Sequence, residues 1–271
     1  MAIDYLPFHK HGYQLIPKLF DTEAIGLLRA EALRIRLLAE SASESSTGPR
    51  LHNILSAHSG DQAINGQRSL HIEHMFRFSP RFRELIHDSR LVGPVQAVCD
   101  PDLRLLDDQL YWKPSGVGGP TYIHRDSDFF GPLRVVTAWI PLGPVDETNG
   151  CLWAVPGSHR LEQPLPGVRK RAAAPGGVAP DRRPFDYFYE VDWPAGFQPL
   201  RMNEGDVLLL HRHVLHCSLE VCSDRERLAY LVEYVAVADL DRHRENCPGL
   251  FEYHDRWQYM VPVRRPEAKE V

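Results

Sequence analysis

From Leu103 onward the chain is built of short apolar runs broken by turn residues: RLLDDQLYWK, TYIHRDSDFF, LRVVTAWIPL, CLWAVPGSH, DVLLLH and LAYLVEYVAV. Runs of this length, rich in Leu, Val, Tyr and Trp, read as strands. Their close spacing leaves no room for intervening helices, which excludes parallel βαβ units and favours antiparallel sheets closing as a sandwich or barrel. The first hundred residues differ in texture. A short strand is expected over Tyr13 to Leu19. Asp21 then offers a helix N-cap, and Ile25, Leu28, Ala32, Ile35 and Leu38 recur at helical spacing. Ser79-Pro80 is a cap and first-turn pair that starts a second helix to about His87, and Leu91 to Cys99 reads as a third. The expected fold is mainly β with N-terminal helical support packed on the barrel.

Two stretches break the pattern. SASESSTGPR, residues 41 to 50, reads as a mobile loop. The Pro-, Gly- and Arg-rich segment between Arg160 and Arg201 is far longer than a usual connection, so a lid is expected over 160 to 200. Its Arg169, Lys170, Arg171, Arg182 and Arg183 read as a solvated basic loop. No internal repeat is present. A single domain over 1–271 is expected: 1–100 mostly helical, 101–240 the β core, and 241–271 a C-terminal extension.

Composition narrows the function classes. With 43% hydrophobic and 25% charged residues in 271, the chain is an ordinary globular protein, not a disordered tail. Thirty-one basic against 36 acidic residues leave a net charge of −5, which argues against a nucleic-acid or anionic-membrane partner and leaves a small molecule. The five cysteines, Cys99, Cys151, Cys217, Cys222 and Cys247, are odd in number and form no CxxC, as expected of a reduced cytoplasmic protein. No apolar run approaches the roughly 18 residues of a spanning helix, and MAIDYLPFHKHGY lacks the order of a secretory signal. A monomer or homodimer is expected.

Fourteen histidines point to imidazole and carboxylate chemistry. His124 and Asp126 stand at i and i+2 in YIHRDSDFF, a spacing that on a strand sends both side chains to one face while Arg125 points away. The spacing alone is weak, since 14 histidines and 36 acidic residues make about two His-x-acid pairs expected by chance. His71-Ile72-Glu73 and His243-Arg244-Glu245 are the others. Context separates the three: His71 falls just before the helical Ser79 region, His243 lies in the charged stretch DLDRHREN, and only His124 sits among strands.

A facial triad for non-haem iron needs a second histidine from a distant strand. HRHVLHCS supplies His211, His213 and His216, of which His216 follows the Gly205-Asp206 turn and the strand VLLLH. It precedes Ser218 and, eleven positions on, Arg227. His211 and His213 read as a strand histidine and a turn residue. A guanidinium in the same cavity suits the distal carboxylate of a dicarboxylic acid, because its planar fork donates two parallel hydrogen bonds.

QLYWKPSG, HRD, VDETNGCLWAVPGSH, GDVLLLHRHVLHCS and the following Arg227 occur in an order that resembles the phytanoyl-CoA dioxygenase family of iron(II)- and 2-oxoglutarate-dependent oxygenases. The likeness runs from about Gly12 to Tyr234. It implies a double-stranded β-helix (jelly-roll, cupin-like) core with iron held by His124, Asp126 and His216. It also implies 2-oxoglutarate chelating the metal, with Arg227 on its 5-carboxylate and O₂ as the second cosubstrate. Lys113, Gln109, Trp139 and Ser218 match positions near the cosubstrate, and Tyr122, Phe129 and Phe130 flank the metal strand as pocket candidates. Asn149-Gly150 and the PGSH segment ending in His159 recur in the family but have the chemistry of turns. Cys217 and Val221 depart from the Gly and Asn common there.

The implied activity is oxidation of an unactivated C–H of a small molecule, with succinate and CO₂ released. Halogenating relatives have Ala or Gly where Asp126 stands, so hydroxylation is expected, with desaturation, epoxidation or ring formation as variants. The competing reading is a jelly-roll metal-binding protein without oxygenase activity, serving as a hydrolase, isomerase or binding module. Arg227 and Lys113 separate the two, because only an oxygenase of this kind needs a carboxylate clamp beside its metal.

Overall fold

The computed structural model describes residues 3–42, 48–53, 67–161, 169–172, 187–190, 196–243 and 262–263. Its strands in chain order are β1 Tyr13–Ile16, β2 His52–Asn53, β3 Leu70–Glu73, β4 Leu103–Lys113, β5 Thr121–His124, β6 Val135–Pro141 and β7 Leu152–Ala154. They continue with β8 Arg169–Ala172, β9 Tyr187–Glu190, β10 Gln198–Leu200, β11 Val207–His211, β12 His216–Ser218, β13 Arg227–Ala236 and β14 Pro262–Val263. Every ladder between them is antiparallel. The larger sheet runs β1-β11-β6-β13-β4-β3-β2 with β14 added on β4, and the smaller runs β10-β7-β12-β5. This is the expected mainly β jelly-roll.

Alternation along the strands divides the larger sheet into two faces. Leu110, Leu228, Tyr230, Val232, Tyr234 and Ile140 face outward into one core with the helices, where Phe82 packs on Tyr230 at 4.5 Å between ring centroids. Trp139, Leu208 and Ala229 face inward, toward Leu152 of the smaller sheet. The site lies between the sheets, on this inward face.

The helices form where their caps predict. Asp21 accepts the Ala24 N–H at 2.7 Å and starts Thr22–Glu40. Ser79 accepts the Arg81 N–H at 3.1 Å and starts Pro80–Leu85, and Ser89–Val98 follows. Along Thr22–Glu40 the buried stripe ends on Ala39, and Leu38 is exposed. The reason is angular: at about 100° per residue Ala39 continues the Ala32–Ile35 line and Leu38 rotates off it.

The first hundred residues are more than helical support, since β1 forms one edge of the larger sheet and β3 pairs directly with β4. Most of the stretches expected as a loop (41–50), a lid (160–200) and an extension (241–271) lie outside the described residues. Within the second, β8 and β9 pair as a two-stranded sheet, and β9 runs beside β5. Within the third, Val237–His243 is helical and β14 pairs with the start of β4. Among the described residues no helix is long and apolar enough to cross a membrane.

Candidate metal centre

His124 ends β5, His216 opens β12, and the antiparallel register sets them opposite each other with ring centroids 4.2 Å apart. Asp126 does not share their strand. β5 stops at His124, and Asp126 takes helical backbone angles (φ −60°, ψ −30°) at the head of the short helix Ser127–Phe130. The same-face argument from strand periodicity therefore fails, yet the turn delivers the carboxylate to the same place. Asp126 Oδ1 lies 3.7 Å from His124 Nε2 and 3.5 Å from His216 Nε2. Arg125 does point away, into the protein, where its guanidinium reaches the Ser158 and Leu161 carbonyls at 3.4 Å.

One donor atom from each of His124, Asp126 and His216 falls within 4.8 Å of the others, a spacing that suits a divalent metal bound on one face. His216 Nδ1 donates to the Val214 carbonyl at 3.0 Å, which leaves Nε2 as the ligand atom. Burial lowers its pKa to about 4, so the imidazole is neutral. Burial raises the pKa of Asp126, opposed by His124 and by the Thr137 hydroxyl, which donates to Asp126 Oδ2 at 3.1 Å. A cation between the three ligands would favour the carboxylate form.

Beside the triad stand two cations. Lys113 ends β4 and Arg227 opens β13, and the two are direct cross-strand partners. Both are buried. Lys113 Nζ donates to Ser218 Oγ at 2.6 Å and to the Leu219 carbonyl at 2.8 Å. Arg227 donates to the Gly150 carbonyl at 2.9 Å, while its Nε is buried without a hydrogen-bond partner. Burial and then the Arg227 charge push Lys113 well below the usual amine range, and burial lowers Arg227 to about 10. Gly150 makes the contact possible: at φ +83° it is a left-handed turn residue, and a Cβ would sit 2.9 Å from the Leu219 carbonyl. Trp139 completes the wall, its ring centroid 5.7 Å from Arg227 Cζ.

The other sequence candidates divide. Phe129 lies against His124, ring centroids 5.9 Å apart. Phe130 is buried with Leu106, Leu133, Val135 and Val235 in an apolar plug. The side chain of Tyr122 lies outside the described residues. Gln109 shares the inward face with Lys113, but its amide donates to Asp107 Oδ2 at 3.0 Å. His211 packs on His159 and Phe8 away from the triad, and burial lowers it to about 3. His159 sits in the turn Ser158–Arg160 with Nε2 3.2 Å from the His9 carbonyl, and Asn149 accepts from Asp146 N at 2.8 Å, both turn roles as expected. Cys217, between His216 and Ser218, turns out of the site into a cluster with Val155 and Leu215.

Sequence reasoning missed Thr137, Asp107 and Glu233. Periodicity held the signal: Glu233 is in step with Arg227 along β13, an acid on the inward face of an otherwise apolar strand. His71 and Glu73, which read as pre-helical, stand on one face of β3 with Nε2 3.3 Å from the carboxylate. A second cluster of possible ligand atoms, His74, Asp107 and Asp108, is tied into the fold, with Asp108 Oδ2 accepting from Tyr230 Oη at 2.6 Å and Phe76 N at 2.9 Å.

Known proteins resemble this chain in sequence and fold. The mouse phytanoyl-CoA dioxygenase domain-containing protein 1 is 31% identical over 166 residues, covering 59% of this chain and 54% of the relative. The chain spans about half the length of the curated relatives it matches. Among solved structures, the epimerase SnoN in complex with Fe³⁺, alpha ketoglutarate and nogalamycin RO matches with TM-score 0.63 at 20% identity, over 84% of this chain and 80% of that one. The non-heme alpha ketoglutarate dependent carbocyclase SnoK matches with TM-score 0.62 at 20% identity, over 97% and 92%. These structures share the fold. The family model for phytanoyl-CoA dioxygenase (PhyH) matches residues 8–229, which include all three triad residues and both buried cations, and the chain belongs to that family.

Proposed function

We propose that the protein is an iron(II)- and 2-oxoglutarate-dependent dioxygenase that hydroxylates an unactivated C–H of a small organic molecule, with release of succinate and CO₂. The observation that carries this reading is the Arg227–Lys113 pair, a buried guanidinium beside a buried amine with no carboxylate in contact among the described residues. Burying unmatched charge is costly, and the orphaned Arg227 Nε asks for an acceptor. A bidentate carboxylate supplies one. A metal-binding jelly roll acting as a hydrolase, isomerase or binding module would have no use for such a pair beside its metal.

When bound, iron and 2-oxoglutarate supply the O₂-dependent oxidation. The chain supplies the rest. His124, Asp126 and His216 hold the metal, with Thr137 fixing the Asp126 carboxylate and Val214 fixing the His216 tautomer. Arg227 takes the distal carboxylate, Lys113 adds positive charge next to it, and Ser218 and Gly150 hold the two cations in place. Trp139 and the apolar inward residues keep water out. The carboxylate ligand at Asp126 supports hydroxylation, and desaturation, epoxidation or ring formation need no other protein parts.

The whole chain, as a monomer or homodimer in the cytoplasm, would act as one oxygenase domain. We place the substrate in specialised or lipid-type metabolism. The test is anaerobic addition of iron(II) and 2-oxoglutarate to the folded protein, with a weak visible charge-transfer band expected. Folded protein that never develops the band would overturn this reading.

A further inference from the structure

The inward face of the barrel carries opposite charge on the two sides of the metal triad. Lys113, bound to Ser218 two residues beyond His216, stands on one side with Arg227. On the other side Thr137, which holds Asp126, lies directly across from Glu233, and Glu233 lies directly across from Asp107. Glu73 follows on β3, opposite Gln109. Beyond this acidic row lies the apolar plug around Phe130.

Two of the three carboxylates lie beside a histidine. Glu73 lies 3.3 Å from His71 Nε2, and Asp107 lies 3.1 Å from His74 Nδ1. Burial pushes Glu73 up, but His71 and His74 outweigh it and hold the group at about 2. Glu233 is different. It is 8% exposed and faces inward in step with Arg227, and among the described residues it has neither a hydrogen-bond donor nor a cation in contact. Burial, and then the Asp107 and Asp126 carboxylates, push its pKa far above the usual range. A leucine would pack there at lower cost, so the fold gains nothing from this side chain.

We propose that the Glu233–Asp107 wall is the substrate-recognition subsite and takes a cationic nitrogen, so that the substrate is an amine- or guanidine-bearing small molecule and not a carboxylate or a phosphorylated thioester. This rests on the oxygenase reading, which assigns the cationic side of the barrel to the dianionic cosubstrate and leaves the acidic side to the substrate. A protonated amine would satisfy Glu233 through charge-assisted hydrogen bonds, with Gln109 and Tyr111 on the same inward face for further polar contact. An anionic substrate would instead leave Glu233 protonated and gain no ion pair from it.

The test uses the full chain loaded anaerobically with iron(II) and 2-oxoglutarate, and matched sets of primary amines, their N-acetyl forms and carboxylic acids on the same skeletons. Thermal stabilisation is read first and substrate-dependent succinate release second. Amine hits are expected, their affinity falling about tenfold or more in Glu233→Gln and less in Asp107→Asn, while the charge-transfer band persists in both. Glu233→Leu, matched to the neighbouring plug, serves where Gln lowers stability. Hits confined to neutral or acidic members, no amine hit at all, or amine affinity that survives Glu233→Gln and Glu233→Leu overturns the subsite. Absence of the band in the wild type instead sinks the oxygenase reading, so the two failures are distinguishable.

Discussion

Arg227 and Lys113 face each other in register across β13 and β4, both buried, and the guanidinium keeps one nitrogen without an acceptor. A carboxylate entering this pair replaces repulsion with two charge-assisted hydrogen bonds. In Arg227→Ala the 2-oxoglutarate concentration needed for half-maximal succinate formation should rise at least about tenfold, roughly 1.4 kcal/mol of binding. The thermal stabilisation that 2-oxoglutarate gives the wild type should shrink in parallel. Unchanged cosubstrate affinity would refute the clamp.

His124→Ala, Asp126→Ala and His216→Ala should each abolish substrate-coupled succinate formation and weaken iron binding, because each supplies one of three ligand atoms within 4.8 Å. Iron titration followed by turnover assays checks this. Full turnover in His216→Ala would remove the triad assignment.

Thr137→Val deletes the only hydrogen bond given to Asp126 Oδ2 among the described residues while keeping the side-chain shape. Iron affinity should fall by about 10- to 100-fold, the usual effect of losing a partner that orients a metal ligand. The fold should be unaffected, since Thr137 sits in the middle of β6.

Low pH should destabilise the fold through its half-buried histidines. Burial lowers His211 to about 3 and His213 to about 4, from an ordinary value of 6.5. In that window the unfolded chain binds more protons than the folded one, so stability is full above pH 6.5 and is lost as pH falls toward 4. His211 contributes at most about 1.4 kcal/mol per pH unit, and the half-exposed His213 less, because solvent screens its charge. The slope of Tm against pH between 6.5 and 4 should flatten in His211→Asn.

Phe82 is fully buried against Tyr230 on the outward face, remote from the triad. Phe82→Ala should cost about 3–5 kcal/mol of stability, read by denaturant unfolding, and leave iron affinity intact.

Much of this protein was legible from local pattern. Caps at Asp21 and Ser79, apolar runs after Leu103 and the turn before VLLLH are short-range signals, and the two capped helices and the strand VLLLH formed where these signals place them. His124, His216 and Arg227 were found because each stands at a strand end in a recognisable order. Asp126 was found for a partly wrong reason, since the strand stops before it.

Sequence determined the antiparallel class and pointed to the candidate metal ligands and the proposed clamp residues, because these depend on residue type and near-neighbour spacing. Tertiary structure alone decided which inward residues meet. Sheet register set Glu233 across from both Thr137 and Asp107, brought His71 and Glu73 from a segment that read as pre-helical, and sent Phe130 into the plug. Cross-strand pairing joins residues about a hundred positions apart, and no periodicity along one strand encodes the offset of its partner.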